Sequence, residues 1–293
     1  MSSLRLSVVV AGSRPQGPPA ELFESLAPGL GDGTLEIIVS TAAPGDAFPS
    51  LPGVRPLRSR PGTTIPRLRA AGLAAARAPI VALTEDFCIP GPGWANAHLA
   101  AHEGRQAVAV GGPVTRRQGT SAQWALTFCE YGRFFHPSRE GVVAELPGIN
   151  TSYKVTRLAA GGESLPDQWQ EASMHGALLG RGEQLWRDPG AVMVDAGCQS
   201  VGRSAMALYH HGRLHGGQRS SGARAVSRLG RLVVAPLVPA VLWARIAGPV
   251  RAAGLGGTFL RTVPWTLFLL SCWALGEGVG ALCGPGDSGG RWT

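Results

Sequence analysis

Short apolar, β-branched runs alternate with helical segments along the N-terminal part of the chain, and that alternation leaves few folds open. Leu4 to Ala11 (LRLSVVVA) runs into Gly12-Ser13-Arg14-Pro15, the pattern of a strand entering a loop. Ala20 to Leu26 reads as a short helix, Leu35 to Val39 (LEIIV) as a second buried strand, and Val54 to Leu57 as a small third. Pro66 to Arg77 (PRLRAAGLAAAR) is alanine-rich, with Leu68 and Leu73 spaced for one helix face and Arg67, Arg69 and Arg77 assigned to solvent. Gly93 to Glu103 continues as a helix and Ala107 to Gly112 (AVAVGG) as a strand. Strands separated by helices predict a parallel sheet, an α/β fold.

The stretch from Pro79 to Trp94, PIVALTEDFCIPGPGW, sharpens this expectation. Ile80 to Leu83 carries no charge, Glu85-Asp86 stop the run, and Pro90, Pro92 and two glycines follow, so a buried strand delivers two acids to a loop. Ligands of open α/β sheets sit at the carboxyl ends of the strands, where paired acids suit a metal or a ligand. The same residues also make a solvated turn with a helix N-cap, the more ordinary use of an acid pair at a strand end.

A chain of 293 residues, 44% hydrophobic and 16% charged, can bury one sizeable core with an appendage, which excludes a disordered protein. Its formal net charge of +8, carried mainly by arginine, suits anionic partners: nucleic acid, sugar nucleotides or acidic lipid headgroups. Charge does not choose among them. Cys88, Cys129, Cys198, Cys272 and Cys283 form no CxxC pair and are odd in number, so reduced thiols in the cytosol are expected. The N-terminal apolar run is too short for a signal peptide, which places the body in the cytoplasm.

The opening SVVV strand, the EIIV strand after it, the Ala- and Arg-rich helix and the acid-tipped strand followed by Pro-x-Pro-Gly-Trp together resemble family 2 glycosyltransferases of the GT-A fold. Gly111-Gly112-Pro113 after the next strand fits the same pattern. Leu146 to Tyr153 (LPGINTSY) looks like that family's Gly-x-Asn-x-Ser segment, and Trp169 to Leu185 (WQEASMHGALLGRGEQL) like its acidic helix before a glycine and a strand. The resemblance covers roughly residues 4 to 215. It implies a three-layer α/β/α sandwich with a mostly parallel mixed sheet, in a domain over residues 1–220, with a C-terminal apolar helical pair over 221–293.

Moving a sugar from a nucleotide requires neutralising a diphosphate leaving group, usually with a divalent cation held by carboxylate and phosphate oxygens. The family's acidic motif is Asp-x-Asp or Asp-Asp, and this chain has Thr84-Glu85-Asp86. The resemblance gives Asp86 the cation, Mg2+ or Mn2+, and sets Glu85 near the nucleotide ribose or diphosphate. Gly148, Asn150 and Ser152 would shape the sugar and acceptor pocket. A second carboxylate must take the proton of the attacking hydroxyl. Counting back from Gly182 and Leu185, the family's Glu-Asp pair falls on Gln170-Glu171, which makes Glu171 the base. By itself Glu171 is equally an acid favoured at a helix N-terminus.

Two positions depart from the family. After the EIIV strand an aspartate usually contacts the nucleobase, but here the loop is Ser40-Thr41-Ala42-Ala43, leaving that task to backbone, Ser40 or Thr41. Asp195 in PGAVMVD replaces a late histidine and either approaches the metal or ends a strand. In Tyr209 to Arg219 (YHHGRLHGGQR) the histidine spacing is wrong for a structural zinc site. The family's basic stretch over the diphosphate makes Arg213 a candidate contact there, and a basic juxtamembrane loop is the other reading. Arg133 and His136 in YGRFFHP are set beside the acceptor cleft with Phe134 and Phe135 as its wall, or the rings belong to the core.

The last part of the chain changes character. Leu229 to Val250 and Phe259 to Leu282 are dominated by Leu, Val, Ala and Trp and bounded by Arg231, Arg245, Arg261 and Glu277. Their uninterrupted apolar cores, about thirteen to fifteen residues, are shorter than a full span needs. Pro236, Pro239 and Pro264 are expected to bend any helix. Interfacial or re-entrant helices, or a tight hairpin with snorkelling arginines, fit this pattern, with Trp243, Trp265 and Trp273 in a headgroup-level belt. A buried helical subdomain is the other reading.

The resemblance and the tail together imply an inverting transfer from a nucleotide-diphosphate sugar to a hydroxyl of a glycan or lipid-linked acceptor. The expected place is the cytoplasmic face of the cell membrane, with the membrane surface and no nucleic acid as partner. A membrane-associated protein that binds sugar nucleotides without turnover is the alternative. A nucleotidyltransferase would need a Gly-rich loop bearing Lys or Arg after the first strand, and Gly12-Ser13-Arg14 is too thin for that.

Overall fold

A computed structural model describes residues 3–44, 49–158, 165–197, 200–220 and 235–291. Cys198 and Arg231 lie outside the described residues. In chain order the first elements are β1 (Leu6–Gly12), α1 (Ala20–Gly31), β2 (Leu35–Thr41), β3 (Val54–Arg58), α2 (Ile65–Ala75), β4 (Ile80–Glu85), β5 (Cys88–Pro90) and α3 (Trp94–Gly104). There follow β6 (Ala109–Gly111), β7 (Val114–Thr115), α4 (Ser121–Tyr131), β8 (Gly141–Val143), β9 (Thr151–Lys154), α5 (Val155–Leu158), α6 (Glu171–Gly180), β10 (Leu185–Arg187) and β11 (Met193–Asp195). The rest is helical: α7 (Val201–Ser220), α8 (Val238–Ala252), α9 (Gly256–Arg261) and α10 (Val263–Cys283).

The chain forms two compact units. One comprises Met1–Thr115 and His136–Ala196, the other Arg116–Phe135 and Gly197–Trp292. In the second unit α4 and α7 pack with the apolar C-terminal helices.

The first unit is built on an eight-stranded sheet of order β3-β2-β1-β4-β9-β6-β10-β8. β3, β2, β1 and β4 are parallel, β9 runs antiparallel between β4 and β6, and β10 is parallel to β6. Every residue of β1 and β2 is buried, as expected of strands covered on both faces. Alternation sorts the layers. On one face Val9, Ile38, Val81, Leu83, Tyr153 and Leu185 pack with Ala70 and Leu73 of α2 and Leu178 of α6. On the other, Val110 and Trp186 pack with Ala101 of α3. A mixed sheet between helical layers is the three-layer α/β/α sandwich that the resemblance implied.

The strand order places a crevice. β1 is flanked by β2 on one side and β4 on the other, so the chain reverses its direction of travel across the sheet at the carboxyl end of β1. At such a switch point the loops diverge and leave room for a ligand. The register pairs Ala11 with Glu85 and Gly12 with Thr41, so the tips of all three strands meet there. A second sheet, β5-β11-β7, sets Asp195 opposite Cys88.

In the second unit α7 and α10 run against each other with their backbones nearly touching. A Cβ on Gly212 would fall on the Trp273 carbonyl, one on Gly216 on that of Glu277, one on Gly276 on that of Tyr209 and one on Gly280 on that of Arg213. Glycines four apart on both helices permit this approach, the arrangement that small residues give in close helix pairs. Phe128, Phe135, Ile246, Val250, Phe259 and Leu270 form the neighbouring core, with Trp243 stacked on Phe259.

Three expectations are corrected here. Tyr209 to Arg219 is helix rather than loop, because the buried side of α7 is made largely of glycine, which a hydrophobic-periodicity reading passes over. Pro239 and Pro264 bend nothing, since each lies in the first turn of its helix, where a missing N–H has no partner to lose. Helix α10 is 21 residues long, continuing past Glu277, and among the described helices it alone is long and apolar enough to cross a membrane.

Candidate functional site

Asp86 stands at the switch point. Its backbone N–H donates to the Ala11 carbonyl at 3.1 Å, and its carboxylate leans over Gly12, where any Cβ would fall on Oδ2. The Arg14 backbone N–H donates to Asp86 Oδ2 at 2.9 Å, and the Arg14 guanidinium donates to the Asp86 carbonyl at 3.2 Å. Burial pushes the Asp86 carboxyl up to about 6, with the Glu85 charge adding to the rise and the Arg14 amide opposing it.

Glu85, the last residue of β4, points to the opposite side of the strand. There it meets Arg69 of α2, whose guanidinium also holds Glu171 at the first turn of α6. One cation thus ties the acid at the strand tip to the acid at the helix start. Arg69 is only 3% exposed, which corrects its assignment to solvent, whereas Arg67 and Arg77 are exposed as expected. The signal was its spacing: Arg69 lies three residues before Gly72 and four before Leu73, both on the buried face of α2. Burial pushes both glutamates up and Arg69 pulls both back, with the Asp195 charge adding to the rise at Glu85. Gly148 closes this group, since a Cβ on it would lie 2.9 Å from Glu171 Cδ.

The other expected residues fall in three places. Asp195 ends β11, is buried, and bears electrostatically on Glu85. Ser40 donates to the Leu68 carbonyl at 2.7 Å and so fastens β2 to α2, while Thr41 Oγ1 accepts from the Ala43 amide at 3.0 Å. Asn150 and Ser152 are fully buried. Asn150 Oδ1 meets Trp94 Nε1 at 2.7 Å and His98 Nε2 at 3.3 Å, and its Nδ2 donates to the Pro113 and Ala191 carbonyls at 3.1 and 2.7 Å. Ser152 Oγ lies 2.7 Å from His98 Nδ1 and 2.9 Å from His102 Nε2. Both side chains spend their hydrogen bonds inside the protein, chiefly on Trp94, His98 and His102 of α3, so they brace the segment after Gly148.

Arg213 belongs to α7 in the second unit, where its Nε donates to the Gly284 carbonyl at 3.4 Å. Phe134 and Phe135 are buried, and Phe135 packs with Phe128 at a ring separation of 5.3 Å, so it is core rather than cleft wall. Cys88, Cys129, Cys272 and Cys283 are free thiols.

The donor set at the strand tips is all oxygen, which suits a hard dication such as Mg2+ or Mn2+. Among the described residues no three His, Cys, Asp or Glu side chains converge to hold a metal unaided. Asp86 therefore fits a cation that takes its remaining ligands from a bound molecule.

No protein-family model and no curated protein matches the sequence. Solved structures do. A mannosyltransferase from Pyrobaculum calidifontis, in complex with GDP-Man and Mn2+, is similar at a TM-score of 0.57 and 16% identity over 95% of this chain and 87% of that one. TarS of S. aureus is similar at 0.49 and 11% identity over 94% and 91% of the two chains, and GalNAc-T7 with UDP, GalNAc and Mn2+ at 0.48 and 10% over 66% and 44%. The first of these likenesses establishes the fold, that of the GT-A glycosyltransferases.

Proposed function

We propose that this chain is an inverting, metal-dependent glycosyltransferase of the family 2 type. It moves a hexosyl group from a nucleotide-diphosphate sugar to a hydroxyl of a lipid-linked or membrane-proximal acceptor, in cell-envelope glycan synthesis at the cytoplasmic membrane face. The observation that carries this reading is the Arg69 guanidinium held between Glu85 and Glu171 beside the switch point.

In this reading Asp86 would hold a divalent cation, with Asp195, whose charge bears on Glu85, as the second candidate ligand. When bound, that ion neutralises charge on the diphosphate. Glu85 and Arg69 face the ribose and diphosphate, and the backbone after β2 at Ser40 and Thr41 faces the base. Glu171 is the base: burial raises its affinity for a proton, and the Arg69 guanidinium opposes that rise. The acceptor oxygen bonds to the anomeric carbon, its proton passes to Glu171, and the bond to the diphosphate oxygen breaks with its electron pair. Gly148, lacking a Cβ, lets the Glu171 carboxyl lie against its backbone.

A thermal-shift panel of UDP- and GDP-sugars, each with and without Mn2+, tests the reading. A rise in melting temperature with one nucleotide sugar that requires Mn2+ is expected, because a ligand of the native state stabilises it by mass action. No rise with any sugar nucleotide contradicts it, and binding without release of nucleoside diphosphate favours the non-catalytic alternative.

A further inference from the structure

The solvent face of α10 is bare and apolar. Trp265 (41% exposed), Phe268 (48%), Leu275 (64%) and Leu282 (44%) succeed one another at three- and seven-residue steps and so form one stripe along the helix. The one polar residue in it, Ser271, turns its hydroxyl back to the Leu267 carbonyl at 2.8 Å. A continuous apolar stripe of this kind marks a surface that something covers.

The charges nearby indicate what covers it. From Ala235 to Cys283 the basic residues are Arg245, Arg251 and Arg261, all exposed, and the one acid is Glu277, which faces Arg219 at 3.8 Å. Arg261 ends α9, two residues before α10 begins. An apolar stripe in a segment whose exposed charges are arginines complements an anionic lipid surface, and tryptophan at its end suits the headgroup boundary.

The opposite face of α10 decides how it meets the lipid. Length and composition would let the helix cross a bilayer. Gly276 and Gly280, however, press it onto the backbone of α7 at Tyr209 and Arg213, and Gly212 and Gly216 answer from α7 at Trp273 and Glu277. Helix α7 carries Arg213 and Arg219 along this contact, so a crossing α10 would draw both into hydrocarbon, where arginine is strongly unfavourable. We propose that α10 lies in the plane of an anionic bilayer surface, stripe downward, and does not cross it. The proposal deepens the membrane-proximal acceptor reading and rests on it for its purpose, but lipid and donor binding are measured separately.

The test is flotation of the full chain with vesicles of phosphatidylglycerol and phosphatidylcholine, or of phosphatidylcholine alone, followed by alkaline carbonate extraction. The expected results are at least tenfold stronger binding to the anionic vesicles and release by carbonate. Phe268→Ser with Leu275→Ser should weaken binding tenfold or more while circular dichroism and the donor-dependent thermal shift stay as in the parent. Arg251→Gln with Arg261→Gln should remove the preference for phosphatidylglycerol, and this pair carries the test should the first fail to fold. Retention after carbonate, equal binding to both vesicles, or parent-like binding by the serine variant overturns the proposal. So does a parent that ignores vesicles but forms a dimer which the serine variant loses. Absence of any donor-dependent shift alongside the expected lipid results would overturn the transferase reading and leave this one standing.

Discussion

Arg69 and Glu171, 102 residues apart in sequence, share a part-buried hydrogen bond, and the same guanidinium reaches Glu85. Sequence distance hides this link, yet it fixes the start of α6 relative to the tip of β4. Removing one member of a buried charged group leaves the others uncompensated, which costs about 3–5 kcal/mol. Arg69→Met should therefore lose that much stability at pH 7, measured by urea denaturation. Both glutamates already have raised folded-state values, so the variant should recover stability as the pH is lowered and they protonate. Parent-like stability at pH 7 would mean that Arg69 does not bridge them.

Gly12 offers a second probe of the same site. Alanine there must displace the Asp86 carboxylate without adding or removing charge. Gly12→Ala and Asp86→Asn should both reduce the Mn2+-dependent part of nucleotide-sugar binding tenfold or more, as read by calorimetry. Unchanged Mn2+ dependence in Asp86→Asn would remove Asp86 from the metal site.

Acid should unfold the first unit through its buried histidines. Burial holds His98 down to about 4 and His102 to about 3, against an ordinary 6.5, so the stability they contribute is full above pH 6.5 and is lost as pH falls from there toward 4. Asp86 acts in the opposite sense, because a carboxyl raised to about 6 gains stability as pH falls through that value. Glu85 and Glu171, also raised, act in the same sense as Asp86, and the downward shifts of His98, His102 and, to about 4, His175 oppose them. The histidine losses begin first, at pH 6.5, so the melting temperature should decline just below that pH. His102→Asn should flatten that decline, and a slope equal to the parent's would contradict the assignment.

Much of the first unit was legible because its strands are unbroken apolar runs, and the acids at residues 85 and 86 announce the end of one. Glu171 and Gly148 were found through the pattern of the family. Arg69 was missed because a charge in an alanine-rich helix was read as solvated, although its spacing to Gly72 and Leu73 put it on the buried face. Asn150 and Ser152 belong to a recognisable segment, but only the folded chain reveals that Trp94, His98 and His102 consume their hydrogen bonds. In the second unit the pairing of α7 with α10 depends on glycines, which carry no hydrophobic signal, so α7 looked like a basic loop.

The release of nucleoside diphosphate by Glu171→Gln, compared with the parent in the presence of an activating sugar nucleotide, tests the central claim most directly. A base acts in the transition state, so turnover should fall about a hundredfold or more while donor affinity stays nearly unchanged. A Glu171→Gln variant that turns over like the parent would contradict the account.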